Sequence, residues 1–150
     1  MKRSASVAAL LGLTLAAGVA LAHDDAYLDT QQAPNGGQLR MAGPYHYELV
    51  LAKNATTAQE NPVLVYITDH AGAKILTAGA SGNATILAGK LKASTPLQPD
   101  GDNRLKGLAK YAATPDTKVV VSVTLAGKPA EQARFTPLAV AKNRSADHKH

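Results

Sequence analysis

The sequence of 150 residues contains no cysteine, no tryptophan and a single phenylalanine, Phe135. The absence of cysteine excludes disulfide bonds, thiol catalysis, thiolate zinc sites and iron–sulfur clusters. Aromatic residues make up only 4% of the chain, which argues against a large aromatic ligand platform. A hydrophobic core must therefore be built from Val, Leu, Ile and Ala, together with some of the five tyrosines.

Recognisable catalytic and nucleic-acid-binding motifs are also missing. No Gly-x-Ser-x-Gly nucleophile motif occurs, and Asp100 and Asp102 lie in a turn rich in Pro and Gly, which explains them as turn formers. The net charge of +5 falls to +3 without Lys2 and Arg3, and no basic segment is interleaved with aromatic residues. The sequence therefore predicts a protein that is not an enzyme and that has no nucleic-acid partner.

The first 22 residues have the pattern of a secretory signal peptide. A short basic start precedes an apolar run over residues 7–22, which ends with Ala20 and Ala22 at positions −3 and −1 of a cleavage site. The run is too short, and too rich in Ala and Gly, to be a good membrane span. Cleavage after Ala22 predicts a periplasmic protein that is not integral to the membrane and whose processed chain begins at His23.

Alternation of apolar and polar residues predicts short β-strands after Gly37. The clearest strands cover residues 45–51 and 117–125, with core faces formed by Tyr45, Tyr47, Leu49, Leu51, Val119, Val121, Val123 and Leu125. Other strand segments are predicted at residues 38–41, 63–68, 74–76, 83–87, 89–93, 104–111 and 131–136. About seven to eight strands and no convincing helix predict an all-β fold, an antiparallel immunoglobulin-like β-sandwich.

The predicted organisation has four parts. A signal peptide at residues 1–22 is followed by an extended N-terminal arm at residues 23–35, which is polar and rich in turn formers. The β-sandwich domain covers residues 36–138. Residues 139–150 are predicted to form a flexible, basic, histidine-containing tail.

Several motifs resemble small bacterial periplasmic β-sandwich proteins, which are similar to the N-terminal domain of heavy-metal efflux adaptor (membrane fusion) proteins. The motifs are Pro34-x-Gly36-Gly37 and the segments at residues 42–50, 65–72, 103–105 and 132–135, within a resemblance that covers residues 33–136. The resemblance implies a sandwich fold and a role in metal handling. It also implies that His46 matches a family histidine, whereas Asn35 replaces the histidine of a Pro-His-Gly-Gly motif. An amide is a poorer ligand for copper or zinc than imidazole.

Four residues are candidate metal ligands: His23, His46, Glu48 and His70. His46 and Glu48 share one strand face, which is predicted to point outward, and two ligands at i and i+2 could bind one ion. The alternative is a solvated histidine and glutamate on a half-exposed strand. His70 lies in the turn at residues 69–72, and turn formation alone would also explain it.

Two further features concern the ends of the processed chain. As the first residue, His23 could bind copper through its α-amine and its ring nitrogen, with His46 completing a T-shaped set if the arm folds back. His148 and His150 form a His-x-His pair that could take up copper or zinc weakly, at the cost of ordering the tail.

These features predict a periplasmic metal-handling accessory protein that binds copper or zinc and is linked to heavy-metal efflux. Its partners would be the metal ion and an efflux protein or another periplasmic protein. The alternative is a periplasmic module that binds another protein through a sheet edge or face. In that case the metal site would have been lost together with the histidine that Asn35 replaces.

Overall fold

The computed structural model describes residues 24–139. The predicted signal peptide, His23 and residues 140–150 lie outside the described residues. The described chain begins with a one-turn helix, α1 (Asp25–Leu28), and continues through eight strands: β1 (Gln38–Ala42), β2 (Tyr45–Leu51), β3 (Gln59–Asp69), β4 (Ser81–Ala88), β5 (Leu91–Pro99), β6 (Arg104–Tyr111), β7 (Lys118–Thr124) and β8 (Ala130–Phe135).

All eight strands pair in antiparallel fashion within one sheet, in the order β1-β2-β3-β6-β5-β4-β7-β8. This confirms the prediction of an antiparallel all-β fold. The predicted division into two separate sandwich sheets is not what the strand order shows. The last two residues of β5, Gln98 and Pro99, pair with β6 and join the two halves of the sheet.

The sheet is nearly closed, because its two edge strands approach each other. The backbone N–H of Thr136, just after β8, donates a hydrogen bond of 2.8 Å to the side-chain oxygen of Gln38 on β1. One surface of the sheet is thereby turned inward around a single core. The other surface faces outward, and it is this outer surface that carries the candidate site.

The core is formed by the apolar side of the predicted alternation. On β2, Tyr47 and Leu49 are fully buried, and on β7 the same is true of Val121. Ala133 and Phe135 on β8 also face inward, as the sequence predicts. Burial of each Val or Leu side chain stabilises the fold by about 1.5–3 kcal/mol, so these faces fix the register of the strands.

The structure differs from the sequence prediction in the bounds of two strands, since β3 begins at Gln59 and not at Val63, and β5 covers Leu91–Pro99 and not residues 89–93. It also differs in two local features. Residues 74–76 do not form a strand, and only an isolated bridge between Thr68 and Lys74 is present. The arm is not wholly extended, because α1 begins at residue 25 with Asp24 as its N-cap, whose carboxylate accepts a 2.8 Å hydrogen bond from the N–H of Tyr27. A four-residue helix is too short to produce a recognisable hydrophobic period.

Within residues 24–139, the one short helix falls far below the length and apolar content that a membrane-spanning helix requires.

Candidate functional site

The outer face of β2 is buried beneath the N-terminal arm. His46 is 8% exposed and Glu48 is 3% exposed. The alternative of a solvated histidine and glutamate on a half-exposed strand is therefore wrong about the exposure of these two side chains. The alternation identifies the face correctly, but residues 27–35 of the arm fold back across it. The folding back of the arm, which the sequence analysis stated only as a condition, is thus present in the described residues, whereas His23 lies outside them.

A cavity of about 470 Å³ lies between the arm and the sheet. The arm supplies one wall, the outer faces of β1, β2 and β3 supply the floor, and the turn after β3 supplies the rim. The lining residues are Tyr27, Leu28, Gln31, Gln32, Pro34, Asn35, Leu39, His46, Glu48, Tyr66, Thr68, His70, Ala71, Gly72, Lys74 and Asn103. Three of the four candidate ligands, His46, Glu48 and His70, therefore border one pocket.

The rings of His46 and His70 stack on each other in this pocket. Their centroids are 4.9 Å apart and their planes differ by 17°. His46 lies on β2 opposite Thr68 of β3, and the turn that carries His70 begins directly after β3. Two histidines that are 24 positions apart in the sequence are therefore brought together by the pairing of β2 with β3.

The turn that presents His70 is held by its own hydrogen bonds. Oδ1 of Asp69 accepts hydrogen bonds of 2.9 Å from the N–H groups of Ala71 and Ala73. Gly72 has a φ of +83°, a conformation that glycine adopts without steric cost. The sequence-predicted turn at residues 69–72 is thus present, and it fixes the position of His70 beside β2.

Glu48 is bound to the arm through both of its carboxylate oxygens. Oε2 accepts hydrogen bonds from the N–H of Asn35 at 2.9 Å and from the N–H of Gly37 at 3.0 Å. Oε1 accepts from Nδ2 of Asn35 at 2.9 Å and from the N–H of Asn35 at 3.2 Å. Asn35 therefore serves as a hydrogen-bond donor to this carboxylate.

Arg40 on β1 attaches the other part of the arm. Its side chain is 9% exposed, and its guanidinium lies 2.7 Å from Asp29 and 3.7 Å from Asp25. Asp25 is the first residue of α1, and Asp29 is its C-cap. The sequence analysis did not identify this contact, although acidic residues at positions 25 and 29 have the i, i+4 spacing that places two side chains on one side of a helical turn.

The side chain between His46 and Glu48 in the sequence has the opposite environment. Tyr47 points into the core, where burial raises the pKa of its hydroxyl above its ordinary value, and the negative charge of Glu131 raises it further. Its hydroxyl has no hydrogen-bond partner among residues 24–139. Adjacent positions on β2 thus alternate between an apolar core and a polar pocket.

The described residues alone do not provide a complete metal site. No group of three or more His, Asp or Glu side chains within residues 24–139 is arranged to hold an ion. The stacked pair offers two imidazoles, which are good ligands for copper and zinc. Two nitrogens bound to one ion at about 2.0–2.1 Å lie roughly 3.3–4 Å apart, a spacing that ring centroids 4.9 Å apart allow. The ligating lone pair of imidazole lies in the plane of its ring, so at least one of the two stacked rings must rotate for both to bind one ion.

No protein-family model, no curated protein and no solved structure matches this chain. The resemblance to efflux adaptor domains therefore stays a prediction from the sequence. The case for a function depends on the chemistry of the pocket.

Proposed function

We propose that the protein is a periplasmic, non-enzymatic metal-binding protein that takes up copper or zinc through His46 and His70. The observation that supports this proposal most strongly is the stacked histidine pair on the floor and rim of a cavity. Imidazole is the commonest protein ligand for both metals. The absence of cysteine and the presence of only two methionines favour Cu(II) or Zn(II) over Cu(I), which prefers sulfur ligands.

His23 is the third ligand in this proposal. It directly precedes Asp24, the N-cap of α1, and the residues of the arm that follow line the pocket. Its α-amine and ring would complete a nitrogen set with the imidazoles of the stacked pair. This contribution requires processing after Ala22, and intact-mass measurement of periplasmic protein tests it. A processed chain that begins at Asp24 or later would remove the third ligand.

The test of this proposal is metal titration of the processed chain by calorimetry. We expect one equivalent of Cu(II) or Zn(II) to bind, and His46→Ala and His70→Ala each to weaken binding by at least about tenfold, which corresponds to about 1.4 kcal/mol. Binding should also weaken below about pH 6, because imidazole must lose its proton to bind a metal.

The matched control is removal of residues 145–150, which deletes His148 and His150 but leaves the pocket intact. We expect this deletion to change the affinity less than threefold at the pocket site. Unchanged affinity in His46→Ala, together with loss of binding in the deletion variant, would contradict the proposal and assign metal uptake to the tail.

A second candidate function is protein binding through the sheet edges between β5 and β6. These strands share only the two pairs Gln98–Lys106 and Pro99–Leu105, so the rest of each edge has no strand partner across this junction. Leu91 and Leu108 are each 51% exposed on these two strands. An extended segment of another protein could add a strand at such an edge.

Amide hydrogen exchange tests the second candidate in the isolated protein. The backbone N–H groups of residues 107–111 that point away from β3 should exchange as solvent-exposed groups. Strong protection of all of these amides would show that the edge is already covered and would remove this candidate.

A further inference from the structure

We infer that Glu48 is a positioning residue that holds the N-terminal arm over the histidine pocket and does not itself bind the metal. The attachment of the arm follows from the hydrogen bonds of Glu48 alone. The statement about metal binding rests on the proposed function. The two parts therefore need separate measurements.

Three N–H donors of the arm engage both oxygens of the Glu48 carboxylate. An ionised carboxylate offers about four lone-pair positions on its two oxygens. In this structure each oxygen makes two contacts, but these come from three donors, because the N–H of Asn35 lies within hydrogen-bond distance of both oxygens. An ion bound to either oxygen would compete with these donors, at a side chain that is only 3% exposed.

All of the donors come from one short segment at the end of the arm. The N–H groups of Asn35 and Gly37 point at the same carboxylate, and the side chain of Asn35 adds a third donor. Hydrogen bonds to a buried charged group are stronger than those between neutral groups. The carboxylate therefore fixes both the position and the orientation of residues 35–37 relative to β2.

Close packing reinforces this attachment at Gly37. A Cβ atom placed there would collide with the carbonyl oxygen of Leu49 on β2. Arg40 meanwhile holds the α1 end of the arm through Asp25 and Asp29. The pocket-lining residues of the arm lie between these two attachments, so the position of this wall of the pocket depends on Glu48.

Glu48→Gln in the processed chain is the direct test. The amide keeps the size of the side chain but presents only one oxygen, and its NH₂ group would face the N–H donors of the arm. We expect exchange of the Asn35 and Gly37 amides to accelerate at least tenfold. We also expect a loss of several-fold in Cu(II) or Zn(II) affinity, with an unchanged Cu(II) electron paramagnetic resonance spectrum at saturation.

Glu60→Gln is the matched control, because it removes the same charge from an exposed position on β3. It should change neither amide exchange nor affinity. Asn35→Ala removes only one side-chain donor and should give a smaller acceleration in the same direction. Asn35→Ala still tests the positioning role if Glu48→Gln does not fold.

The outcomes separate the two parts of the inference. Unchanged amide exchange at positions 35 and 37 in both Glu48→Gln and Asn35→Ala would overturn the positioning role. A copper spectrum at saturation that changes in Glu48→Gln but not in Asn35→Ala would show that Glu48 is a ligand. Failure of the unsubstituted protein to bind either metal would refute the proposed function, while the exchange measurement would still decide the positioning role.

Discussion

Two parts of the outer surface of the sheet look alike in sequence but differ in the structure. The covered face, formed by His46, Glu48, Tyr66 and Thr68 on β2 and β3, lies beneath the N-terminal arm. The open face, formed by Asn83, Thr85, Leu87, Lys92 and Ser94 on β4 and β5, is not covered by any other part of residues 24–139. Both faces arise from the polar half of an alternating strand pattern.

The difference shows what a second layer does to polar side chains. On the open face, the hydroxyls of Thr85 and Ser94 lie 3.2 Å apart in an exposed hydrogen bond that water can replace. On the covered face, Glu48 is almost fully buried and each of its oxygens is hydrogen-bonded. Substitutions on the covered face should therefore cost much more stability than similar ones on the open face.

The largest loss of stability should come from placing an extra atom in the narrow space between the arm and β2. Gly37→Ala would force a Cβ against the backbone of Leu49, which cannot move without disturbing β2. We expect a loss of about 3 kcal/mol in the free energy of unfolding. Gly89→Ala is the control, because Gly89 at φ +59° has open space around it and should cost only about 1 kcal/mol. Urea unfolding measures both, and equal losses would refute the close approach.

Removal of the buried carboxylate should be the next largest effect. Glu48→Ala leaves three donors of Asn35 and Gly37 without their acceptor, and we expect a loss of about 2–3 kcal/mol. Thr85→Ala, on the open face, should cost about 0.5 kcal/mol or less. If chemical denaturation gives the two variants the same midpoint, the polar side chains of the covered face do not contribute more stability than those of the open face.

The core side of β2 predicts a loss of stability in alkaline solution. Burial raises the pKa of Tyr47 in the folded state, so above pH 10 the unfolded chain loses this proton while the folded chain keeps it. The free energy of unfolding should therefore fall as the pH rises, by about 1.4 kcal/mol per pH unit for this group. Tyr47→Phe should remove that contribution, as measured by urea unfolding between pH 9 and 11. If the free energy of unfolding of Tyr47→Phe falls with pH as steeply as that of the unsubstituted protein, this prediction is wrong.

A smaller effect is expected at the helix end of the arm. Arg40→Met removes the contacts with Asp25 and Asp29, whose side chains are 59% and 54% exposed. Because those carboxylates can be solvated, we expect a loss of about 1 kcal/mol. Arg134→Met on the exposed side of β8 should change stability by less than about 0.5 kcal/mol. Thermal unfolding that ranks these variants in the reverse order would argue against the attachment.

The strands could be predicted from the sequence because their signals are local. Alternation gave β2 and β6 with their observed bounds and placed Val119, Val121 and Val123 in the core. The pairing of β5 with β6 and the near closure of the sheet could not be predicted in this way. They depend on which strands pair across long sequence separations, and the alternation within one strand does not show which strand is its partner.

The candidate site was predicted residue by residue but not in its environment. The sequence identified His46, Glu48 and His70, and the structure places all three on one pocket. Alternation shows which side chains share a face but not what covers that face, so the burial of Glu48 was missed. The role of Asn35 was missed for the same reason, because Asn35 was interpreted only as a poor metal ligand in place of a histidine, whereas its side chain donates a hydrogen bond to Glu48.

The most direct test of the account is a long-range ¹H–¹⁵N spectrum of the histidine side chains, recorded while Zn(II) is added to the processed protein. All five histidines of the chain, including His148 and His150, report in one sample. The account predicts that the ring nitrogens of His23, His46 and His70 shift together and saturate at one equivalent, before the tail histidines respond. Shifts at His148 and His150 first, with His46 and His70 unchanged, would contradict it.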